Sequence, residues 1–441
     1  MSKRRAIALV DGEHYPPTTR WALGVARDRG YDVVVCLFMG GSEKIGAGEL
    51  PELGVRVEKA RPDLRLGILE AVDTYQAEVV LDLSDEPVLG YEEREIIAKA
   101  ARDAGAGYET GDDAPSEDAP SLSVPALAVI GTGKRTGKTA IAGEATRIAA
   151  ANGLKPVIVA MGRGGPPEPQ VIEAGTVTLD LLRDLVAAGE HAASDYLEDA
   201  VFTGVTTIGA RRAGAGPAGR PFVSNVPEAA RLAEGMGPGL VILEGSGAAI
   251  PPVPADAVIL VSPASIPSSH LVSYEGPGRV LLSDLVVFTM GTGPSTGPQD
   301  HSSLVSHVRG LRPDARIALI RFRPAPAGDV REKKVYFTTT APPSAGPSLV
   351  ASLEEHEGCS VVGISHRLSD RAGLTEDLDA APDYDVLLTE LKAAAIDVAA
   401  ERALERGADV VLADNRPETV EGDPLPDLLL ETAQLAVERN G

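Results

Sequence analysis

Residues 128–151 read AVIGTGKRTGKTAIAGEATRIAAA, and they pass from an apolar run through a glycine-rich loop into an alanine-rich helical run. In a strand–loop–helix connection, glycines let backbone N–H groups converge on phosphate oxygens, and the helix N-terminus adds partial positive charge. The stretch therefore predicts a phosphate-binding loop within an α/β domain.

The predicted nucleotide-binding residues are the consecutive members of this loop: Gly131, Thr132, Gly133, Lys134, Arg135, Thr136, Gly137, Lys138 and Thr139. Lys138 is expected to reach the β- and γ-phosphates, and the Thr139 hydroxyl is expected to bind Mg²⁺. The usual GxxxxGK[ST] pattern needs glycine where this chain has Thr132, and the first glycine, Gly131, lies one place earlier. A glycine-rich turn that binds no ligand is the alternative.

A carboxylate follows a second apolar run. Residues 240–243 are predicted to form a buried strand, which Glu244 follows directly, before the small residues GSGAAIPP at 245–252. Because ligands of open parallel sheets bind at the carboxyl ends of strands, Glu244 is expected to ligate Mg²⁺ between the β- and γ-phosphates. Gly245 and Gly247 are expected to leave room for the nucleotide. A turn cap is the alternative role for Glu244.

The nucleotide is expected to be ATP. The sequence contains no NKxD motif, which is the type that reads guanine, and this disfavours a GTPase switch. Lys134 precedes Lys138 by four residues, whereas the dimer-bridging lysine of partitioning ATPases precedes it by five. We therefore expect Lys134 to contact phosphate locally.

Charge and composition exclude other classes of protein. The chain has 441 residues and a formal charge of −23, which repels nucleic acid and anionic membranes. No apolar run approaches the roughly 20 residues of a membrane helix, and the run at 6–10 is too short for a signal peptide. We therefore expect a cytoplasmic protein. Cys36 and Cys359 have no metal-ligand spacing and support neither a disulfide framework nor a zinc site.

Alternating strand-like and helical runs predict a multi-domain α/β protein with a central parallel sheet flanked by two further α/β units. The expected parts are an N-terminal α/β domain at 1–106, an acidic linker at 107–123, a P-loop domain at 124–328 and a C-terminal α/β domain at 329–441.

The loop at 131–139, together with EGSG at 244–247, resembles dethiobiotin synthetase and its cobyrinate-amidating relatives over roughly residues 124–328. This resemblance implies a dethiobiotin-synthetase-like P-loop sheet. A second resemblance, to the cyclic 2,3-diphosphoglycerate synthetase family, extends over the whole chain. Besides the loop, the segments that carry it are VDGEHYPP at 10–17, MGRGGPPEP at 161–169, ILEGSGAAIPP at 242–252, LTELKAAAIDVA at 388–399 and ADNRP at 413–417.

The second resemblance implies an ATP- and Mg²⁺-dependent cyclo-ligase. Enzymes of that family close an intramolecular pyrophosphate between the two phosphates of 2,3-diphosphoglycerate and release ADP and phosphate. A homodimer and a monovalent cation such as K⁺ are further expectations. Two other functions stay open: a phosphotransferase of the 2-phosphoglycerate kinase type, which stops before ring closure, and a P-loop ATPase that acts as a protein-binding switch.

A polyanionic substrate beside ATP needs several converging cations. Arg163 lies in the glycine-rich GRGGPP at 162–167 and is the expected clamp on substrate phosphates, because the planar guanidinium binds phosphate through two donors. Arg163, Lys134 and Lys138 form the expected catalytic set, since phosphoryl transfer depends mainly on positioning and charge neutralisation.

Other candidates for substrate binding lie outside the loop. Arg211 and Arg212 open the segment RRAGAGPAGR at 211–220, which is expected to be a mobile loop that covers the phosphates, with a solvated surface loop as the alternative. His14 and Arg20 follow the first predicted strand and are expected to bind substrate, although a histidine near a turn is often structural.

Overall fold

Residues 3–41, 50–114, 119–188, 192, 194–289 and 301–441 are described by the computed structural model. The first unit contains β1 (Arg4–Val10), α1 (Pro16–Asp28), β2 (Tyr31–Phe38), β3 (Val57–Lys59), α2 (Leu64–Tyr75), β4 (Val79–Asp82), α3 (Tyr91–Asp103) and β5 (Gly107–Glu109).

The central unit contains β6 (Ala126–Gly131), α4 (Lys138–Ala151), β7 (Pro156–Gly162), β8 (Gln170–Ile172), α5 (Leu179–Ala187), α6 (Asp195–Thr203), β9 (Thr207–Ala215), β10 (Pro221–Ser224), α7 (Val226–Gly235), β11 (Leu240–Glu244), β12 (Ala257–Pro263), α8 (Ser269–Val272), α9 (Gly276–Leu282), β13 (Leu285–Thr289), α10 (Ser302–Leu311) and β14 (Arg316–Pro326). The last unit contains β15 (Lys334–Thr338), α11 (Gly346–Glu357), β16 (Ser360–Ser365), α12 (Arg371–Asp379), β17 (Val386–Glu390), α13 (Glu401–Glu405), β18 (Asp409–Glu421) and α14 (Leu425–Asn440).

The first unit is a parallel sheet with the strand order β3-β2-β1-β4-β5 and helices on both faces. Alternate side chains of β1 enter different cores: Ala8 packs towards Leu23 of α1, and Ile7 packs towards Ile68 of α2 and Ile97 of α3. The chain leaves β1 and β4 in opposite directions, so the crevice between their carboxyl ends is a topological switch point, where open α/β sheets bind ligands. Residues that follow β1 and β4 are therefore placed to form a site.

The predicted linker at 107–123 is tied into the fold on both sides of residues 115–118, which lie outside the described residues. β5 pairs with β4, and the Asp112 carboxylate accepts hydrogen bonds from the backbone N–H groups of Ala218 and Arg220 at 2.7 and 3.0 Å. Ser123 donates to Glu234. The apolar pattern did not predict β5, because its three residues, GYE, carry a single large apolar side chain.

The second sheet joins the central and C-terminal units. Its order is β10-β9-β7-β11-β6-β12-β13-β14-β18-β17-β15-β16, with β8 paired to β9. The strands from β7 to β14 are parallel, β14 and β18 pair in antiparallel fashion, and β18, β17, β15 and β16 are parallel again. The predicted α/β architecture is confirmed, but the boundary expected at 328/329 falls inside one continuous sheet.

The junction between β14 and β18 was not expected because both strands are longer than their apolar runs. The runs at 316–320 and 409–413 predict short strands, whereas the structure extends them to Pro326 and Glu421. The extensions, RFRPAP and DNRPETVE, are rich in charged residues and proline, which are depleted in strands. Pairing between two distant segments therefore outweighs their local preference.

The last helix completes the central core. Leu425, Leu428 and Leu429 of α14 are buried beside Ile141 of α4 and the strands around the glycine-rich loop. The segment that leads into α13 is irregular, with a π-helical turn at Ala395–Ala400. Among the described residues, none of the helices combines the length and the apolar character that crossing a bilayer requires.

We expect Leu429→Ala to lower the free energy of unfolding by about 2–5 kcal/mol, because it opens a cavity in the core beneath α14. Leu429 is 0% exposed, whereas Val437 on the same helix is 36% exposed. Val437→Ala is the matched control and should cost no more than about 0.5 kcal/mol in urea unfolding. Equal losses in the two variants would show that α14 does not complete this core.

Candidate active site

The glycine-rich loop connects β6 to α4, as the sequence predicts, and folds around the amine of Lys138. Lys138 Nζ donates to the carbonyl oxygen of Gly133 at 2.7 Å and lies 3.3 Å from Thr136 Oγ1. A Cβ atom on Gly131 would lie 2.8 Å from Lys138 Cδ, and Gly137 has a φ of +94°, so both positions require glycine. Burial lowers the pKa of Lys138 to about 8, which favours an anion as its partner.

Thr132, which replaces the expected glycine, anchors the loop to the neighbouring strand. Its backbone N–H donates to the carbonyl oxygen of Val261 at 3.2 Å, and its hydroxyl lies 3.1 Å from Ser262 Oγ on β12. Arg135, at the outer turn of the loop, is exposed and has a φ of +58°. The departure from the usual pattern therefore attaches the loop to β12 while leaving its glycine-lined interior intact.

Glu244 lies beside the end of the loop, at the carboxyl end of β11. Its Oε1 accepts a hydrogen bond from Thr139 Oγ1 at 2.6 Å. Burial, reinforced by the charge of Asp195, raises the pKa of Glu244 to about 7. Burial together with the charge of the neighbouring Glu244 raises the pKa of Asp199, on α6, well above its usual range. Two buried carboxyl groups thus share one side of the loop.

This arrangement fits a magnesium ion bound beside phosphates. Glu244 Oε2 and Asp199 Oδ2 are buried and have no hydrogen-bond donor among the described residues. Carboxylate and hydroxyl oxygens are the ligands that Mg²⁺ takes, usually one or two from protein with phosphate and water oxygens completing the set. Among the described residues, no group of three or more His, Cys, Asp or Glu side chains is placed to hold a metal ion.

The C-terminal unit borders the same acidic side. Lys392, which follows β17, lies with its Nζ 3.7 Å from Glu198 Oε1, and the charge of Glu198 raises the pKa of Lys392 above its ordinary value. Glu390 accepts hydrogen bonds from the hydroxyl groups of Thr339 and Thr340, both at 2.8 Å. The LTELK segment therefore supplies one cation close to the carboxyl groups around Glu244.

The first unit contributes a buried loop after β1. Asp11 Oδ1 accepts the backbone N–H groups of Glu13 and His14 and lies 2.8 Å from His14 Nδ1. The backbone N–H of Gly214 lies 3.3 Å from His14 Nε2, which is also 3.7 Å from Asp85 Oδ2. His14 therefore connects the first unit to β9 of the central unit.

Charged side chains of alternating sign run from this interface to the loop, and we call them the charge ladder. Its members, in spatial order, are Arg212, Asp85, Arg163, Glu13 and Lys134. The successive distances are 2.8 Å from Arg212 Nη1 to Asp85 Oδ1, 2.7 Å from Asp85 Oδ2 to Arg163 Nε, 3.3 Å from Arg163 Nη1 to Glu13 Oε2, and 2.5 Å from Glu13 Oε2 to Lys134 Nζ. The carboxylates come from the first unit and the cations from the central unit.

Asp85 is the buried centre of the charge ladder. Burial alone would raise its pKa, but the charges of Arg212 and Arg163 hold the pKa of this carboxyl well below its usual range. Asp85 was not among the predicted site residues, although the sequence carries a signal for it: LSDEP at 83–87 places a carboxylate just after a buried strand, as Glu244 follows β11. Asp199 gave no such signal, since α6 was not predicted.

The expectation of a mobile loop or a solvated surface loop at 211–220 is wrong. Most of this segment forms β9 and the turn into β10, which pair in antiparallel fashion, and Arg212 is 0% exposed. A Cβ atom on Gly214 would lie 3.3 Å from Leu83 Cα, and one on Gly216 would lie 2.1 Å from Asp112 Cγ. These small residues allow close packing against the first unit rather than mobility.

Two further arginines point to other partners. Arg211 packs its guanidinium over the ring of Trp21, 4.2 Å from the ring centroid. Arg20 is exposed and donates to the carbonyl oxygen of Glu52 at 2.7 Å. The structure therefore brings Lys134, Arg163, Arg212 and His14 together, whereas the contacts of Arg20 and Arg211 lie elsewhere.

A Cβ atom on either glycine after Glu244 would meet protein atoms, and the expectation that these glycines leave room for the nucleotide stays a prediction. A Cβ atom on Gly247, which has a φ of +61°, would lie 2.6 Å from Arg163 Nη2, and one on Gly245 would lie 2.9 Å from the carbonyl oxygen of Ala249. Gly247 therefore sets the position of Arg163.

We expect Glu244→Gln to stabilise the ligand-free protein in a pH-dependent way. The pKa of Glu244 is about 7 when folded, against an ordinary value of 4.5, so ionising this buried group opposes folding as the pH rises through that interval. The free energy of unfolding of the variant should equal that of the wild type near pH 4.5 and exceed it by up to about 3 kcal/mol at pH 8. Urea unfolding at several pH values measures this, with Glu95→Gln as the exposed control. A stability difference independent of pH would contradict it.

Models of the cyclic 2,3-diphosphoglycerate synthetase family match most of the chain. The family's N-terminal domain matches residues 5–114, its P-loop domain matches 126–320, and its C-terminal domain matches 326–416. The glycine-rich loop, Glu244 and every member of the charge ladder lie within these ranges.

Relatives named cyclic 2,3-diphosphoglycerate synthetase match this chain over nearly their full length. The protein of Rubrobacter xylanophilus is 45% identical, with 98% of both chains covered. Those of Methanothermus fervidus and Thermococcus gammatolerans are 38% and 40% identical, covering 99% and 98% of this chain and 98% of their own. Among solved structures, LpxK from Aquifex aeolicus in complex with ATP is a distant likeness, with 13% identity, a TM-score of 0.38, and coverage of 71% of this chain and 90% of its own. The chain belongs to the cyclic 2,3-diphosphoglycerate synthetase family.

Proposed function

We propose that this enzyme converts 2,3-diphosphoglycerate to cyclic 2,3-diphosphoglycerate, using ATP and releasing ADP and phosphate. The names of the relatives support the substrate. Within the molecule, the position of Lys134 supports the proposal most directly. Lys134 belongs both to the phosphate-binding loop and to the charge ladder with Arg163. A site for the terminal phosphate of ATP therefore adjoins a site for a second anion.

The reaction needs two displacements at phosphorus. An oxygen of one substrate phosphate attacks the γ-phosphorus of ATP, and ADP leaves. The second substrate phosphate then attacks the phosphorus of the first substrate phosphate, which now carries the γ-phosphoryl group. That group leaves as inorganic phosphate, and the ring closes. Because the phosphate groups are already ionised, the protein has to align and neutralise them and needs no strong base.

The nucleotide side of the site is formed by the loop residues 131–139. Lys138, now bound to the carbonyl oxygen of Gly133, is proposed to turn to the β- and γ-phosphates. Thr139 and Glu244 are the proposed holders of Mg²⁺, and Asp199 lies close enough to join them. When it is bound, this ion supplies charge neutralisation on the phosphates. K⁺ as an additional ion stays a prediction.

The substrate side is formed by Arg163 and Lys134, which are proposed to bind the phosphates of 2,3-diphosphoglycerate. Arg212 lies behind Asp85 and acts on substrate by holding this carboxylate, and therefore Arg163, in place. Direct substrate contacts of Arg212, Arg211, Arg20 and His14 stay predictions. To contact substrate, Arg20 would have to leave the carbonyl oxygen of Glu52, and Arg211 would have to leave the ring of Trp21.

We also propose a cytoplasmic homodimer. Val272, Leu281 and Leu282 on α8 and α9 are 40%, 56% and 56% exposed, and such a group of apolar side chains favours self-association. Both cysteines are buried and free, as is typical of a reducing compartment. Sedimentation equilibrium measures the assembly.

Phosphorus NMR of the product tests the reaction. With ATP, Mg²⁺ and 2,3-diphosphoglycerate, the wild type should produce a cyclic pyrophosphate signal, and Lys138→Ala should abolish ADP formation, because the β- and γ-phosphates lose their bridging cation. Phosphomonoester signals alone would favour the kinase-type alternative. Slow ATP turnover that ignores phosphoglycerates would favour the ATPase switch.

Arg163→Ala should raise the KM for 2,3-diphosphoglycerate by about 10- to 100-fold and change the KM for ATP much less. Loss of a hydrogen bond from a charged donor weakens the binding of the substrate that accepts it. The matched control is Arg183→Ala, which removes an arginine paired with Glu401 away from the loop. Steady-state kinetics with each substrate varied in turn measures both constants. Equal increases in the two KM values would argue against a substrate clamp.

A further inference from the structure

Glu13 has an unusual position in the charge ladder. Its Oε2 lies 2.5 Å from Lys134 Nζ and 3.3 Å from Arg163 Nη1, so a single carboxylate oxygen bridges two cations of the proposed site. Lys134 belongs to the phosphate-binding loop, whereas Glu13 comes from the first unit. An anionic oxygen between a lysine and an arginine is the arrangement that a phosphate oxygen takes in phosphate-binding sites.

Arg163 does not depend on Glu13 for its place in the protein. Asp85 Oδ2 lies 2.7 Å from its Nε, and the carbonyl oxygen of Glu86 accepts from its Nη2 at 3.1 Å. The contact with Glu13 is the longest of these and is made on the side that faces Lys134. Arg163 therefore stays fixed by Asp85 when its outer partner is exchanged for another anion.

The carboxylate of Glu13 is buried and packs against glycine backbone. A Cβ atom on Gly41, which has a φ of +85°, would lie 3.2 Å from Glu13 Oε1 and 3.2 Å from the backbone nitrogen of Gly12. Glycine at position 41 therefore lets the Glu13 carboxylate and the Val88 side chain approach the backbone here. Exchange of Glu13 for another anion requires its side chain to rotate away from Lys134 and Arg163.

We propose that the Glu13 carboxylate stands in for a phosphate oxygen of 2,3-diphosphoglycerate, occupying the anion subsite between Lys134 and Arg163 until the substrate displaces it. The proposal rests on the proposed function, since it names where that substrate binds. It has a physical advantage: the two cations are never buried without a counter-charge, because one anion replaces another. It also means that the substrate competes with a group of the enzyme.

Glu13→Gln tests the proposal, because the amide keeps the shape of the side chain and removes its charge. 2,3-Diphosphoglycerate is titrated by calorimetry in the presence of saturating ADP and Mg²⁺, which keep it out of the nucleotide loop. The variant should bind it about tenfold more tightly, since a like charge at the subsite is lost. The KM for 2,3-diphosphoglycerate should fall in parallel, and the KM for ATP should change less than twofold.

Glu418→Gln is the matched control for total charge, because the Glu418 carboxylate also bridges two cations, Arg321 and Arg323, but on the strands β14 and β18. Its affinity for 2,3-diphosphoglycerate should equal that of the wild type. If both variants bind more tightly to the same degree, the effect is general electrostatics and the proposal is overturned.

Other outcomes also separate the possibilities. Weaker or unchanged binding of 2,3-diphosphoglycerate by Glu13→Gln would show that Glu13 does not compete with substrate. A large loss of kcat at constant KM would show that Glu13 takes part in the chemical step. Either result overturns the proposal. Glu13→Ala repeats the test should the amide fail to fold. Failure of the proposed function is distinct, because it is seen in the wild type as the absence of a cyclic product.

Discussion

The active-site region depends on the contact of one buried carboxylate, Asp85, with two buried guanidinium groups. Asp85 belongs to the first unit, and Arg163 and Arg212 belong to the central unit. Breaking a buried pair of this kind leaves charges without a partner, which is far more costly than the net gain from forming it. The loops after β1 and β4 are therefore held against the glycine-rich loop, and the remaining ladder contacts follow from that attachment.

The C-terminal unit supports the same loop from the opposite side. Asp414 of β18 binds Arg147 of α4 at 3.2 Å, and Arg416 reaches both Asp414 and Glu144 of α4. The helix that begins with Lys138 is thereby fixed to the second half of the long sheet. Asp414 and Arg416 come from the ADNRP segment, so this segment attaches the C-terminal unit to α4.

Local patterns predicted the phosphate-binding loop and the meeting of Thr139 with Glu244, because each depends on a strand, a turn and the helix that follows. The segment at 211–220 was misjudged because its glycines are needed for contact with Leu83 and Asp112, which are far away in the sequence. Asp199 and the pairing of β14 with β18 were missed for the same reason. Sequence patterns indicate the conformation that a segment prefers on its own. These features depend instead on contacts with segments that are distant in the sequence.

The packing of α14 has a consequence for how the protein is made. The leucines that close the core beneath the nucleotide loop lie at 425–429, after every other strand and helix of the C-terminal unit. A nascent chain leaving the ribosome therefore carries an uncovered apolar face on the sheet from the time that β14 is made until α14 emerges. Chaperones that shield such faces would have their longest contact with this part of the molecule.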